Sequence, residues 1–178
     1  REAGLFHLDI RNTDVHDTNF GGGLDTAVIT GDVLDKIKLD LDGGDGVDTL
    51  DFSQTSVPVT VNLETGVIEI DNGPGQDATA VNFENVNGTD GDDVIVGNAE
   101  DNIIQSGSGT DILTGGDGED TFVFREQDEG VKIILDFEVG VDQLAFLTTD
   151  PEVTTDNQLA TLPQSGDDVE LALPNNLI

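Results

Sequence analysis

Oxygen-bearing side chains recur at a spacing of nine residues in the middle of this chain. When residues 88–123 are written in rows of nine, the rows are GTDGDDVIV, GNAEDNIIQ, SGSGTDILT and GGDGEDTFV. The sixth place of successive rows holds Asp93, Asn102, Asp111 and Asp120. Such side chains at one fixed place of a repeat can line up along one edge of a fold, where they suit a hard cation such as Ca²⁺.

Further copies of the row lie upstream. Residues 43–51 (GGDGVDTLD), 72–80 (NGPGQDATA) and 20–28 (FGGGLDTAV) carry Asp48, Asp77 and Asp25 at the sixth place. Residues 30–38 (TGDVLDKIK) keep only one glycine and the sixth-place aspartate, so an ordinary turn and strand is an equally good interpretation. The repeat therefore extends beyond the tandem block.

Each row divides into a glycine-bearing part and an apolar part. Glycine tolerates the positive φ angles and close backbone approach of a tight turn. The eighth place holds Ile95, Ile104, Leu113 and Phe122, and a strand of three residues points one side chain inward. We expect a turn of six and a strand of three in each row, stacked into a solenoid with a thin core.

Stacking would bring sixth-place carboxylates to about 4.8 Å from one another, where they repel. Calcium can relieve this repulsion because it takes about six to eight oxygen ligands, both carboxylates and backbone carbonyls. Mg²⁺ fits less well, since it demands a strict octahedron and dehydrates reluctantly. We therefore predict several bound Ca²⁺ ions.

The composition agrees with a cationic partner. The 178 residues include 38 Asp and Glu against 6 Lys and Arg, giving a formal charge of −32. Such a surface repels nucleic acid and anionic lipid, and no apolar stretch is long enough for membrane insertion. General solvation or disorder could also explain the acidity, but hydrophobic residues make up 35% of the chain and favour a core. Cysteine is absent, which excludes disulfides and thiolate metal sites.

Strand patterns lie between and after the repeats. Residues 57–63 (VPVTVNL) alternate apolar and polar side chains, residues 64–66 form a turn, and residues 67–70 return, which predicts longer coils inserted into the same stack. Residues 131–137 (VKIILDF), 138–147 (EVGVDQLAFL) and 167–173 (DDVELAL) predict a strand-rich C-terminal cap. A helical period is sustained nowhere, so helix should be scarce.

Motifs of known enzyme classes are missing. There is no phosphate-binding loop ending in Lys-Ser or Lys-Thr, no G-x-S-x-G and no H-E-x-x-H. His7 and His16 could form part of a zinc site or act as a base, but two exposed histidines are the favoured interpretation. We therefore predict that the chain is not itself an enzyme.

The rows GGDGVDTLD and GGDGEDTFV resemble the nonapeptide of the RTX, or haemolysin-type, calcium-binding repeat. The resemblance covers roughly residues 20–147, including FENVNGTDGDD (83–93), TFVF (121–124) and DFEVGVDQL (136–144). It implies an all-β, right-handed parallel β-roll, a calcium-stacked solenoid with a C-terminal strand-rich cap. In that family two rows make one coil, and calcium lies between turns on the same side.

The resemblance also implies which residues hold the ions. Asp93 would share an ion with Asp111, Asn102 with Asp120, and Asp25 with Asp48 if residues 30–38 form the intervening row. Asp77 is a further candidate. Because Asn98 and Glu100 replace family glycines, the site at residues 97–102 is the weakest. Backbone carbonyls of the first four places would complete each site, and the candidates are Gly43, Asp45, Gly88, Asp90, Gly97, Ser106, Ser108, Gly115 and Asp117.

These expectations divide the chain into a lead-in strand region (1–19), the β-roll (20–124) and a capping segment (125–178). Since the chain begins at Arg1 rather than Met, we expect it to be part of a longer exported protein. The resemblance implies type I secretion, folding on calcium outside the cell, and a secreted or cell-surface location, for example in an adhesin with a polysaccharide or surface partner. The alternative is a non-catalytic module of a polysaccharide-acting enzyme, such as an alginate epimerase, or of a metalloprotease.

Overall fold

The described part of the chain consists of strands and turns and contains no helix. The computed structural model describes residues 4–7, 16–29, 39–70, 78–147 and 169–173, with side chains described within 19–29, 39–70 and 78–147. Within these residues, the scarcity of helix expected from the sequence is confirmed. In particular, none of them form a helix long and apolar enough to span a membrane.

Short strands follow one another at the intervals that the repeat predicts. In chain order they are β1 (Gly4–His7), β2 (His16–Asn19), β3 (Gly22–Gly23), β4 (Asp25–Val28), β5 (Leu39–Asp42), β6 (Asp45–Gly46), β7 (Thr49–Asp51), β8 (Val59–Asn62), β9 (Val67–Ile70), β10 (Ala78–Val81), β11 (Asn85–Asn87), β12 (Val94–Val96), β13 (Ile103–Gln105), β14 (Asp111–Thr114), β15 (Thr121–Arg125), β16 (Gly130–Ile134), β17 (Gln143–Leu147) and β18 (Val169–Leu173).

Two sheets face each other across a β-roll of about 5 turns. The first sheet is parallel throughout, in the order β1-β4-β7-β11-β13-β15-β17. The second sheet has the order β18-β16-β14-β12-β8-β9-β10-β5-β2. In the tandem block Ile103 pairs with Thr121 and Val94 with Ile112, so each coil contains two rows of nine. The predicted all-β parallel roll is confirmed.

The core is a ladder of eighth-place side chains between the two sheets. Ile95, Ile104, Leu113 and Phe122 are all fully buried, as the row pattern predicts. The isolated rows 20–28 and 43–51 bury Ala27 and Leu50 in the same way. Among the described side chains, no strand contributes more than two apolar residues to this core, so each coil depends on its neighbours for stability.

The insertion between β7 and β11 differs from the expected longer coils. Strand β9 pairs antiparallel with both β8 and β10, so these three strands form a meander within the second sheet. The turn that starts it is closed by the Thr65 amide, which donates to Oδ1 of Asn62, and Gly66 follows with a φ of 71°. The alternating pattern correctly placed both strands, whereas the return direction came from this turn.

The segment after the tandem block is rich in strands, as predicted. β16 continues the second sheet in parallel with β14, and β18 pairs antiparallel with β16. β17 continues the first sheet in parallel with β15. Asp77, the row 30–38, and residues 148–168 and 174–178 of the predicted capping segment lie outside the described residues. The predicted exposure of His7 and His16 stays a prediction, because their side chains are not among those described.

Candidate calcium-binding turns

The sixth-place side chains form two columns, one at the start of each sheet's strands. Strand pairing sets the order within each column. The long column, before the first sheet, consists of Asp25, Asp48, Glu84, Asn102, Asp120 and Asp142. Among the residues that the structure describes, the short column, before the second sheet, consists of Val59, Asp93, Asp111 and Lys132.

Carboxylates of the long column are linked through backbone amides. Oδ1 of Asp48 accepts a hydrogen bond from the Asp25 amide at 2.7 Å, and Oδ1 of Asp120 accepts one from the Asn102 amide at 2.9 Å. Oδ1 of Asp142 accepts one from the Asp120 amide at 3.1 Å. These bonds place Asp25 beside Asp48 and Asn102 beside Asp120, in the pairs expected from the sequence.

The short column repeats this arrangement. Oδ1 of Asp111 accepts a hydrogen bond from the Asp93 amide at 2.9 Å, and Oδ1 of Asp93 accepts one from the Val59 amide at 2.8 Å. Both aspartates are buried to within 1% of full burial. The expected pairing of Asp93 with Asp111 is therefore present in the geometry.

The first-place glycines leave room beside these carboxylates. A Cβ at Gly115 would lie 2.1 Å from Oδ2 of Asp120, and a Cβ at Gly88 would lie 2.6 Å both from Oδ2 of Asp93 and from the Ser106 carbonyl oxygen. Any side chain there would fill the space that the carboxylate and the carbonyl face. The first-place glycines that lie beside a carboxylate are Gly43, Gly88 and Gly115. Gly97 lies instead beside the amide oxygen of Asn102, at 2.2 Å from its Cβ position.

Glycines at the second and fourth places serve a different purpose. Gly107 has a φ of 84°, and a Cβ there would lie 2.0 Å from the carbonyl oxygen of Thr89, in the neighbouring turn of the short column. Gly109 has a φ of 110° and a Cβ would lie 2.3 Å from the Gly91 carbonyl oxygen. Only glycine permits both this conformation and this close stacking of turns.

The third-place candidates turn their side chains outward. Asp45, Asp90 and Asp117 are exposed, and Ser108 is half-buried. Their side chains therefore lie apart from the buried carboxylates, and what they can offer to a shared cation is the backbone carbonyl oxygen. This placement agrees with the carbonyl role expected for them.

Several of these carboxylates are buried at an electrostatic cost. Oδ2 of Asp48 and Oδ2 of Asp120 are enclosed without a hydrogen-bond partner. Burial raises the pKa of Asp93 and of Asp120 to about 6, and it also raises the pKa of Asp48 and Asp111. A buried carboxylate in this state favours whatever neutralises it, either a proton or a metal ion.

The oxygen set fits calcium. Each described pair supplies at most two carboxylates, and among the described residues no three acidic, histidine or cysteine side chains converge as a metal cluster. Backbone carbonyls must therefore supply most of the ligands, and glycine-rich turns expose them. A flexible cage of carbonyls and few carboxylates suits Ca²⁺ better than Mg²⁺.

The row 97–105 has a turn closed by its own side chains. Nδ2 of Asn102 donates to the Glu84 carbonyl oxygen at 2.7 Å and to Oδ1 of Asn98 at 3.0 Å, and Oδ1 of Asn98 accepts from the Glu100 amide. These bonds substitute for the missing second- and fourth-place glycines. Asn102 therefore brings a neutral amide that donates into the column, and the weakness of a cation site here stays a prediction.

Asp142 is a column member that the sequence analysis missed. It lies at the sixth place of residues 137–145, FEVGVDQLA, which also have glycine at the fourth place and a buried leucine, Leu144, at the eighth. Leu144 pairs with Phe122, the eighth-place residue of the preceding row. A search for the nine-residue pattern in a new phase after residue 123 would have identified this row.

The sequence pattern marks Glu84 and Lys132 as column members less clearly than it marks Asp142. Oε2 of Glu84 accepts a hydrogen bond from the Asp48 amide at 2.7 Å, as the aspartates of the column do. Its row, residues 79–87, has no glycine, so only the structure reveals its place. Lys132 lies at the sixth place of residues 127–135, where a positive charge breaks the acidic pattern.

The raised pKa values predict opposite effects of pH with and without calcium. In the calcium-free fold Asp93 and Asp120 bind protons below about pH 6, above the usual carboxylate range, so acid stabilises that fold relative to the unfolded chain. Calcium must displace those protons, so its affinity should fall below about pH 6.

Far-UV circular dichroism and calcium titration between about pH 7 and about pH 5 test this prediction. The calcium-free chain should gain β structure as the pH falls, while the calcium-loaded protein should bind more weakly. The matched variant Asp120→Asn removes one titrating carboxylate and should flatten both trends. Identical trends with and without calcium would contradict the assignment.

Comparison with known families identifies the repeat. The model of the RTX calcium-binding nonapeptide repeat matches residues 87–122 in four copies. Those residues carry both members of the pair Asp93 and Asp111 and of the pair Asn102 and Asp120. RTX calcium-binding nonapeptide repeats bind Ca²⁺ ions and are characteristic of secreted proteins. A search of curated proteins found no match to this chain.

Proposed function

We propose that this chain is a non-catalytic structural domain that folds on binding calcium outside the cell, within a larger secreted or cell-surface protein such as an adhesin. The observation that carries the proposal is the stacking of buried carboxylates, Asp25 on Asp48 and Asp93 on Asp111, beside turns whose carbonyls face the same space. Carboxylates stacked in this way can hold ions that join successive coils, which is a structural role and not a catalytic one.

Three pairs of acidic side chains are the best calcium ligands. They are Asp25 with Asp48, Asp93 with Asp111, and Asp120 with Asp142. A fourth pair, Asn102 with Asp120, brings a single negative charge and should bind more weakly. The ions would link successive coils, because each pair joins two turns of the stack.

The charge of the chain and the calcium affinity of extracellular modules both support an extracellular setting. At a formal charge of −32 the unfolded chain repels itself and stays soluble. Extracellular calcium modules work with dissociation constants of about 10⁻⁴–10⁻³ M, a concentration that the cytosol does not reach. A domain of this kind would remain unfolded during export and would fold on arrival.

Calcium titration calorimetry on the wild type and on Gly115→Ala tests the proposal. The new Cβ would lie 2.1 Å from Oδ2 of Asp120, so the carboxylate must move and calcium affinity at its sites should fall about tenfold or more. Gly22→Ala is the matched control, because its Cβ would approach no atom closer than 3.4 Å.

The control variant should bind calcium within about twofold of the wild type. Absence of calcium binding to the wild type would refute the proposed function. Wild-type affinity in Gly115→Ala would refute only the role of Asp120 as a ligand.

A further inference from the structure

Lys132 is a fully buried lysine in a chain with only 6 Lys and Arg residues. Its side chain and that of Asp111 are both 0% exposed. Lysine is almost never buried to this extent unless its charge is paired, because removing an ammonium from water is costly. The position of this one cation in the fold therefore calls for a physical reason.

Lys132 stands where the repeat has aspartate. In residues 127–135, QDEGVKIIL, Gly130 occupies the fourth place with a φ of 105°, and its Cβ would lie 2.1 Å from the carbonyl oxygen of Gly109, the fourth-place glycine of the neighbouring turn. Ile134, at the eighth place, is buried and pairs with Leu113. Lys132 itself pairs with Asp111 at the sixth place.

The ammonium group contacts the oxygens that a calcium ion would need between these two turns. Nζ lies 2.9 Å from Oδ2 of Asp111, and it donates hydrogen bonds to the carbonyl oxygens of Gly109 at 2.9 Å and Glu129 at 3.2 Å. These are a sixth-place carboxylate, a fourth-place carbonyl and a third-place carbonyl. They belong to the classes of oxygen assigned to calcium in the other turns.

We propose that the Lys132 ammonium is a built-in cation that replaces Ca²⁺ between the turn at residues 106–111 and the turn at residues 127–132. This inference rests on the proposed calcium-binding function. A divalent ion cannot share these oxygens with an ammonium group, since the two charges repel strongly at contact distance in a buried site. The junction is therefore closed to calcium.

One consequence is that calcium on the short column is confined to a single two-carboxylate site among the described residues. Val59 stands on one side of the pair Asp93 and Asp111, and Lys132 stands on the other. Neither neighbour can add a negative charge to a second site. Another consequence is that, in the folded domain, the contact between β14 and β16 carries its own positive charge and needs no calcium ion.

The substitution Lys132→Asp tests the proposal by restoring the aspartate of the repeat. It should add one bound calcium ion per chain relative to the wild type, measured by calorimetry and by metal analysis of the dialysed protein. Arg125→Asp is the matched control, because it makes the same change of charge on the half-buried Arg125, outside the sixth place. That control should bind the wild-type number of ions.

The outcomes separate this proposal from the proposed function. If Lys132→Asp folds in calcium and binds only the wild-type number of ions, Lys132 is an ordinary buried ion pair and the proposal is wrong. If the wild type and Arg125→Asp bind no calcium at all, the proposed function fails instead.

A measurement on the wild type covers the case in which Lys132→Asp does not fold. In the calcium-loaded protein, an amine-reactive label followed by mass spectrometry should modify Lys132 at least about tenfold more slowly than in urea. Labelling at the rate of the unfolded chain would mean that calcium displaces the ammonium, and this would overturn the proposal.

Discussion

Excess EGTA is expected to abolish most of the β-sheet circular dichroism signal of this domain at neutral pH. Without calcium, the buried carboxylates of Asp48 and Asp120 have unpaired oxygens, and the pKa of Asp120 is raised to about 6 by burial. At neutral pH the chain has a formal charge of −32, so its acidic groups repel one another. The narrow core offers little to oppose this repulsion. Each coil is stable only if its neighbours are folded, so unfolding should spread along the stack.

The expected size of the effect follows from linkage. A site at about 100-fold excess of calcium over its dissociation constant adds about 2.7 kcal/mol to the free energy of unfolding. Three sites would contribute about 8 kcal/mol, which is comparable to the whole stability of about 5–15 kcal/mol of an ordinary domain. Removing calcium can therefore remove the fold.

Two controls make the chelation experiment specific. Calcium added back in excess of EGTA should restore the signal, whereas the same concentration of Mg²⁺ should restore little of it. Sodium chloride at equal ionic strength tests whether screening of the acidic chain is sufficient. A β signal and a thermal midpoint that do not change in EGTA would mean that calcium does not organise the fold.

The repeat block is the part of the molecule that sequence predicts best. A strict period of nine places one apolar side chain inward and one oxygen-bearing side chain at the turn, so the burial of Leu113 follows from counting. The placing of Asp93 beside Asp111 was expected from the resemblance to the RTX repeat, in which two rows make one coil. In this block each turn stacks on an equivalent turn, so the residue pattern within one row is enough to predict its structure.

Sequence predicts less wherever the period is interrupted. Insertions of three residues at 124–126 and of one at 136 shift the rows that contain Lys132 and Asp142 out of phase with the tandem block. Strand pairing nevertheless aligns Lys132 with Asp111 and Asp142 with Asp120. The alignment is set by hydrogen bonding between strands, which the nine-residue spacing does not specify. The meander of β8, β9 and β10 is a similar case, since alternation predicts a strand but not its direction.

The substitution Asp111→Ala is expected to be the most damaging single change in either column. It removes one carboxylate of the calcium pair with Asp93, and it also leaves the Lys132 ammonium buried without a counter-charge. Breaking a buried ion pair from one side costs about 3–5 kcal/mol, in addition to the lost calcium site. Urea unfolding at saturating calcium measures the loss.

The matched comparison is Asn102→Ala, in the weakest row of the block. Asn102 is equally buried, but its amide supplies hydrogen bonds to Asn98 and to the Glu84 carbonyl in place of a negative charge. Its removal should cost about 1–3 kcal/mol, the range for a buried polar partner left unsatisfied, and should lower calcium binding less than Asp111→Ala does.

The double variant Asp111→Ala with Lys132→Met separates the two losses caused by Asp111→Ala. Removing the ammonium as well eliminates the stranded charge but not the lost ligand. The double variant should therefore regain a large part of the stability while calcium binding at the Asp93 site stays impaired. If Asn102→Ala costs as much as Asp111→Ala, the assignment of ions to rows is shifted. If the double variant is no more stable than Asp111→Ala alone, the ion pair with Lys132 contributes nothing, and calcium accounts for the whole effect.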